Sequence, residues 1–448
     1  MASKIIPREW KDWSELDSND AFFKGIDISR EENFGIHLYN GKLWTGGYVG
    51  VGRLYDAYGR PLQTHGQEHI VVINSRYSLD PWVMLEKVMT DEEYEDYLEE
   101  LQRENKQLFK IFYDQPVVRL AQHQCCEADI LYALSFVNQC YSLCQKGIKR
   151  RMLPMEENLS AKIRGRIDIP KNIRKNTSIG RNDRFYCKYV DFTTDTTENR
   201  ILKATLIKCK KIMEKKFRVE AGMMSRLSFC MNALRGVQTV KLKDSDFNQV
   251  NVTGLFTYYK PLLKQAKCII RQKYTSYLAQ DGITVSKSVY TIPYMINMEA
   301  VFEFYVRTLL RDSLDANRYY LEKYSSKIFP EKGVTDPSGV RSGIHLTPYC
   351  IPDIIIKDKL TRKAVMVLDS KYKSDDRPVR SDSYQLLTYV LLTGAKKCGF
   401  VMPGQTTGVK KMGPGDYMEL ATGFANDLQY YELLIGNTVD RVEIEKIL

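Results

Sequence analysis

Two apolar, β-branched runs near the C-terminus, CIPDIIIK (350–357) and AVMVLDSKYK (364–373), are joined by only six residues, DKLTRK. So short a connection makes them the two strands of a hairpin, and their near-continuous hydrophobicity makes them buried on both faces. The flanking segments narrow the architecture further. Upstream, NMEAVFEFYVRTLLRDSL places Met298, Val301, Phe302, Tyr305, Val306 and Leu309 on one helical stripe behind an Asn297 cap. Downstream, SDSYQLLTYVLLTG reads as a helix stopped at Gly394, and CGFVM as a short strand. The predicted order is helix, strand, strand, strand, helix, strand.

The rest of the chain has a different texture. Residues 20–80 are short apolar runs broken by Gly, Asn and Asp (FGIHLYNGKLWTGGYVGVGRLYDAYG, then EHIVVINSRY), the pattern of short strands and tight turns. From about Gln122 the spacing turns helical in ADILYALSFVNQCYSLC, followed by strand-like RGRIDI and FYCKYVDF. Helices return in TTENRILKATLIKCKKIMEKKF and FTYYKPLLKQAKCIIRQKYTSYL, ahead of strand-like GITVSKSVYTIPY. The predicted fold class is therefore α+β and multidomain: a β-rich N-terminal domain over 1–115, a mixed α+β region over 116–290, and an α/β C-terminal domain over 291–448.

A chain of 448 residues with 44% hydrophobic and 27% charged side chains can bury a sizeable core, which excludes a disordered or fibrous class. MASKIIPREW has no apolar core of a leader and no eighteen apolar residues run together, so neither a signal peptide nor a membrane span is predicted, and a cytoplasmic location is expected. The ten cysteines include no CxxC pair; they read as buried thiols, and neither a disulfide framework nor a structural zinc is expected.

Charge is distributed unevenly. Residues 1–100 hold 10 basic and 19 acidic side chains, whereas the whole chain is formally +11. The acidic run DEEYEDYLEE reads as the solvated face of a helix continuing into LQRENKQLFKIF. Phosphates repel such a segment, so the N-terminal domain is expected to dock on protein rather than on DNA. From Lys146 to Lys188, 13 Lys/Arg stand against 4 acids, interleaved with Ile163, Ile167, Phe185 and Tyr186. This is the electrostatic footprint of phosphate-backbone binding, with Lys162, Arg164, Arg166, Lys171, Arg174 and Lys175 as candidate DNA contacts; a merely soluble basic face is the alternative.

The chemistry is expected on the hairpin. Alternation puts Asp369 and Lys371 on one face with Val365 and Val367 and turns Ser370 away. If the hairpin closes symmetrically about Thr361, Asp353 stands opposite Asp369 with Cβ atoms about 4.5–5.5 Å apart. Two carboxylates that close repel unless a cation lies between them. Hard oxygen ligands at the end of apolar strands suit Mg²⁺, or Mn²⁺, which polarises a phosphodiester while Lys371 holds the attacking water.

This arrangement resembles the PD-(D/E)xK nuclease superfamily, with Pro352-Asp353 as its aspartate element and Asp369-Ser370-Lys371 as its DxK. The resemblance implies a restriction-endonuclease-like C-terminal core, a glutamate on the preceding helix completing the metal site (Glu303 in preference to Glu299), and a QxxxY element at Gln385 and Tyr389. Each piece has a plainer explanation as well: Glu303 pairing with Arg307 at i,i+4, or Gln385 and Tyr389 merely packing. More specifically, ENLSAKIRGRIDI, YCKYVDFTTDTTENRIL and MINMEAVFEFYV, in that order ahead of the PD and DSK elements, resemble McrC, the nuclease subunit of McrBC-type modification-dependent restriction systems; a LlaJI-like system would look similar. That implies a Mg²⁺-dependent endonuclease acting on modified double-stranded DNA, working with and stimulating an McrB-like AAA+ GTPase hexamer. No G-x-x-x-x-G-K-[ST] occurs here, so this chain is expected to bind no nucleotide itself. Two other classes remain open on sequence: a free-standing RecB-like repair nuclease, and a non-catalytic DNA-binding regulatory subunit.

Three further motifs are read conservatively. His65 and His69 have metal-pair spacing but no glutamate after the first histidine, so they are taken as loop residues. Gly46, Gly47, Gly50 and Gly52 lack the phosphate-loop lysine, and PGQTTGVKKMGPGDY is read as a surface loop with DNA contact as its alternative.

Overall fold

The computed structural model describes residues 6–77, 79–116, 118–120, 128–214, 221–250, 252–277, 289–324, 350–373, 379–412, 428–436, 444 and 448. The chain forms two compact units, one of residues 1–125 with 287–448 and one of residues 126–286. The first and last thirds of the sequence thus share one body.

The N-terminal segment supplies β1 (Ile6–Lys11), β2 (Glu15–Leu16), β3 (His37–Tyr39), β4 (Lys42–Trp44), β5 (Tyr48–Gly52), β6 (Gln63–Thr64) and β7 (Gln67–Asn74). After them come α1 (Pro81–Thr90), α2 (Tyr94–Arg103), β8 (Phe109–Ile111) and β9 (Val118–Leu120). The inserted unit contains α3 (Ala128–Lys146), β10 (Arg151–Ser160), β11 (Arg166–Ile167), α4 (Ile169–Lys175), β12 (Arg184–Thr193), α5 (Thr197–Glu214), α6 (Ala221–Ala233), α7 (Asp244–Asn248) and α8 (Tyr259–Tyr277). The C-terminal segment adds β13 (Val289–Thr291), β14 (Tyr294–Asn297), α9 (Met298–Ser313), β15 (Tyr319–Leu321), β16 (Ile354–Asp358) and β17 (Ala364–Ser370). It ends with α10 (Arg380–Thr393), β18 (Lys397–Pro403), β19 (Gly408–Met412) and β20 (Gln429–Ile435). Among the described residues no helix is long and apolar enough to cross a membrane.

Strand β14 joins the two ends of the chain. It pairs antiparallel with β5 and β8 in a sheet of order β1-β7-β5-β14-β8, with β6 appended to β7. Gly50 makes the pairing possible: a Cβ there would lie 2.2 Å from the carbonyl oxygen of Tyr294. The second large sheet has the order β15-β16-β17-β18-β20-β19, antiparallel at β16/β17 and parallel at β17/β18 and β18/β20. One face of its hairpin, through Ile355 and Val367, packs on Leu386, Tyr389 and Val390 of α10. The other, through Ile354, Ile356, Met366 and Leu368, is equally buried, and α9 packs against β17.

Several local expectations need correction. The α9 stripe is wider than one face, because Ala300, Phe304, Arg307, Thr308 and Leu310 are buried too. Helix α1 packs on it, and Tyr97 of α2 stacks on Phe304 at 4.2 Å. The acidic run is therefore not simply a solvated face: Asp91 and Glu100 are buried, the helix stops at Arg103, and Phe109–Ile111 is a strand. Only Arg166–Ile167 of RGRIDI is strand, since Asp168 accepts from Lys171 N and caps α4 instead. His69 is a buried strand residue against Phe22, although His65 does lie in a turn. Part of PGQTTGVKKMGPGDY is β19, paired with β20; its residues 413–417 lie outside the described residues.

Candidate active site

The hairpin register Ile354↔Leu368, Ile355↔Val367, Ile356↔Met366 is the one symmetric about Thr361, and a bulge between Ile356 and Lys357 absorbs the shift nearer the turn. One step beyond the first pair stand Asp353 and Asp369. Asp353 Oδ2 accepts from Ser370 N at 2.8 Å and from Ser370 Oγ at 2.9 Å. Ser370 is thus tied to Asp353 through both its backbone and its side chain while still paired with Val401 of β18.

Asp369 is fully buried, and among the described residues neither of its carboxylate oxygens has a hydrogen-bond partner of good geometry. Lys371 Nζ lies 2.7 Å from Oδ2 as an ion pair. Burial, and then the charge of Asp353, push the Asp369 carboxyl up to about 8 despite that lysine. Glu303, half-buried on α9, is raised well above the usual range by burial first and the Asp353 charge second, against a hydrogen bond that it accepts from Tyr324 Oη at 2.8 Å. Burial alone would lower the Lys371 ammonium; Asp369, Asp353 and Asp382 outweigh it, so the pKa is raised and the lysine is held charged.

On α10 the two side chains of the QxxxY element touch one another. Lys371 Nζ donates to Gln385 Oε1 at 3.4 Å, Gln385 Nε2 donates to Tyr389 Oη at 2.6 Å, and Tyr389 Oη donates to Ile351 O at 3.4 Å. A cavity of about 290 Å³ opens beside them, lined by Glu299, Glu303, Tyr324, Asp353, Gln385 and Tyr389, and from the N-terminal segment by Glu100, Glu104 and Lys106. Asp369 and Lys371 are not part of its lining.

Four residues without a motif hold this geometry. Arg307, fully buried, donates through Nη1 to Asp353 O at 2.6 Å and through Nη2 to Glu322 O at 2.8 Å and Glu93 Oε2 at 3.0 Å. Its carboxylate partner is therefore Glu93 of the acidic run, more than two hundred residues upstream, and not Glu303. Tyr324 fixes Glu303, and Asp382 lies 3.8 Å from Lys371 Nζ and 2.6 Å from Lys373 Nζ. Tyr372 Oη donates to Asp12 Oδ2 at 2.6 Å, while Lys373 O accepts from Tyr77 Oη at 3.3 Å and from Arg76. The end of β17 is thereby tied to the N-terminal sheet.

The six candidate DNA contacts lie in the inserted unit around β10, β11, α4 and β12. Lys162, Arg164, Arg166, Arg174 and Lys175 are exposed and Lys171 half-buried. Two are engaged within the protein: Arg164 forks onto Asp191 at 2.8 and 3.1 Å, 4.2 Å over the Tyr189 ring, and Lys171 pairs with Glu156. Lys175 sits 5.1 Å over Tyr186.

A family model described as the McrBC 5-methylcytosine restriction system component matches residues 83–403, from α1 through β18, and the chain belongs to that family. Two solved structures are similar to it. One, a half-complex from the tetradecameric assembly of Thermococcus gammatolerans McrB AAA+ hexamers with bound McrC, shares 14% identity at a TM-score of 0.37, covering 97% of this chain and 95% of that one. The other, a cryo-EM structure of the Thermococcus gammatolerans McrBC complex, shares 16% identity at a TM-score of 0.30, covering 68% of this chain and 86% of that one. No curated protein matches the chain.

Proposed function

We propose that this chain is the McrC-type DNA endonuclease subunit of its restriction system, with a PD-(D/E)xK core formed by α9, β16, β17, α10 and β18. The observation that carries the proposal is that, after burial, the Asp353 charge raises the pKa of both Glu303 on α9 and the buried Asp369 at the end of β17, where the Lys371 ammonium pairs with Asp369 Oδ2 at 2.7 Å. Like charges that close are costly without a cation, and an all-oxygen donor set fits Mg²⁺ or Mn²⁺. Asp353, Asp369 and Glu303 would hold the ion, which when bound supplies charge neutralisation and a more acidic water at the scissile phosphate.

The chain's own groups do the rest. Lys371, fixed between Asp369 and Gln385, donates a hydrogen bond to the attacking water or to a phosphate oxygen. Tyr389 orients Gln385, and Arg307 fixes the backbone from which the Asp353 carboxylate projects. Lys162, Arg166, Arg174 and Lys175 contact the DNA backbone of modified duplex. Family membership supports a partner of the McrB AAA+ GTPase class, docked through the N-terminal segment, and a cytoplasmic site of action. The test is cleavage of methylated and unmethylated plasmid by the chain co-purified with its neighbouring NTPase, in Mg²⁺ with GTP or ATP, beside Lys371→Ala. Nucleotide-dependent cleavage that Lys371→Ala abolishes supports the proposal. Cleavage without partner or nucleotide favours a free-standing nuclease, and equal activity of wild type and variant removes the assigned site.

A further inference from the structure

Three cysteines that are scattered in sequence meet in the helical core of the inserted unit. Cys140 and Cys144 stand one turn apart on α3, Cys230 lies on α6 packed against it, and their sulfurs are all within 4.8 Å of one another. Cys140 and Cys230 are buried and Cys144 is half-buried, so the group is closed within the core and reachable past one residue. All three are free thiols.

A disulfide does not use this geometry well. Residues i and i+4 of a helix hold their Cβ atoms about 5–6 Å apart, whereas a disulfide needs about 3.5–4.5 Å, so Cys140 and Cys144 cannot bridge. A bridge from Cys230 to either would leave the third sulfur unused. A thiophilic cation uses all three: with metal–sulfur bonds of about 2.3 Å, tetrahedral geometry sets the sulfurs about 3.8 Å apart, which small rotations of the side chains can reach from this arrangement.

We propose that Cys140, Cys144 and Cys230 form a three-thiolate site for a soft d¹⁰ cation of the Zn²⁺ type, with the remaining coordination position on the Cys144 side. Such an ion clips α3 to α6. Because it binds the folded unit and not the unfolded chain, it stabilises that unit by mass action. The site is independent of the carboxylate cluster, whose oxygen donors select a hard cation.

The experiment titrates the reduced, chelator-stripped full chain with Cd²⁺, whose sulfur-to-metal charge-transfer absorption reports thiolate ligation only. The expected result is one tight equivalent with a thiolate band. That band is lost in Cys144→Ser with an unchanged far-UV spectrum, kept in Cys350→Ser, and weaker but present in Cys144→His, which replaces one sulfur by an imidazole. Zn²⁺ should compete for the same equivalent and raise the unfolding midpoint of wild type but not of Cys144→Ser. Absence of a band at one equivalent, a band that persists in Cys144→Ser, or a Cys230 disulfide in protein purified without oxygen would each overturn the proposal.

Discussion

Replacing Arg307 by methionine tests how the hairpin is held. The change keeps an unbranched apolar stem and removes a buried guanidinium that donates to Asp353 O, Glu322 O and Glu93 Oε2. Glu93 retains Arg311 at 2.6 Å, so the loss falls on the two backbone carbonyls. Each buried acceptor left without its donor costs about 1–3 kcal/mol, giving about 2–6 kcal/mol together, the range of a broken buried ion pair. For a unit of this size a loss of that order lowers the thermal midpoint by about 2 °C per kcal/mol, hence by about 4–12 °C. All four tryptophans, Trp10, Trp13, Trp44 and Trp82, lie in the unit that contains the site, so their fluorescence follows its unfolding. Arg307→Lys should recover only part of the loss, since a point charge cannot span three acceptors as a planar fork does. A loss below about 1 kcal/mol for Arg307→Met, or full recovery by lysine, would refute the reasoning.

Tyr372→Phe removes the hydroxyl that donates to Asp12 at 2.6 Å, and its cost should depend on pH. Burial already raises the folded pKa of Asp12, so the stability linked to its protonation is full below the unfolded carboxylate value and is lost as pH rises through the folded one. Removing a donor raises that folded value further, so urea midpoints of Tyr372→Phe and wild type should differ most at neutral pH and converge towards pH 4. Substituting Gly47 by valine should disturb the site from outside the motif, because even a Cβ there would lie 3.0 Å from Glu299 Cγ and Oε1; reduced cleavage at unchanged DNA affinity is expected in a gel-shift and cleavage pair. Replacing Lys162, Arg166 and Arg174 together by alanine should weaken duplex binding uniformly across sequences and flatten its salt dependence by about one unit of slope per lost phosphate contact, measured by anisotropy in a salt series. An unchanged slope would remove the inserted unit from the DNA path.

What could be read from the linear chain had local causes. Loop length and the two-residue period determined the hairpin register, so Ile354↔Leu368 could be derived from the position of Thr361 alone. Asn297 capping α9 through Ala300 N and Gly394 stopping α10 at φ 67° were legible for the same reason, since caps answer to a single turn of backbone. Charge patterning misled at Asp91 and Glu93, whose carboxylates are bound by arginines more than two hundred residues away.

By itself, then, the sequence determined the elements, the hairpin and the family motifs, because periodicity, turn length and capping act over a few residues. Tertiary structure alone decided that the first and last thirds form one unit, that Arg307, Tyr324 and Asp382 brace the candidate site, and that Cys230 meets Cys140 and Cys144. Those contacts depend on how buried faces pack across long stretches of chain, and burial is what makes their charges, thiols and unpaired oxygens matter energetically.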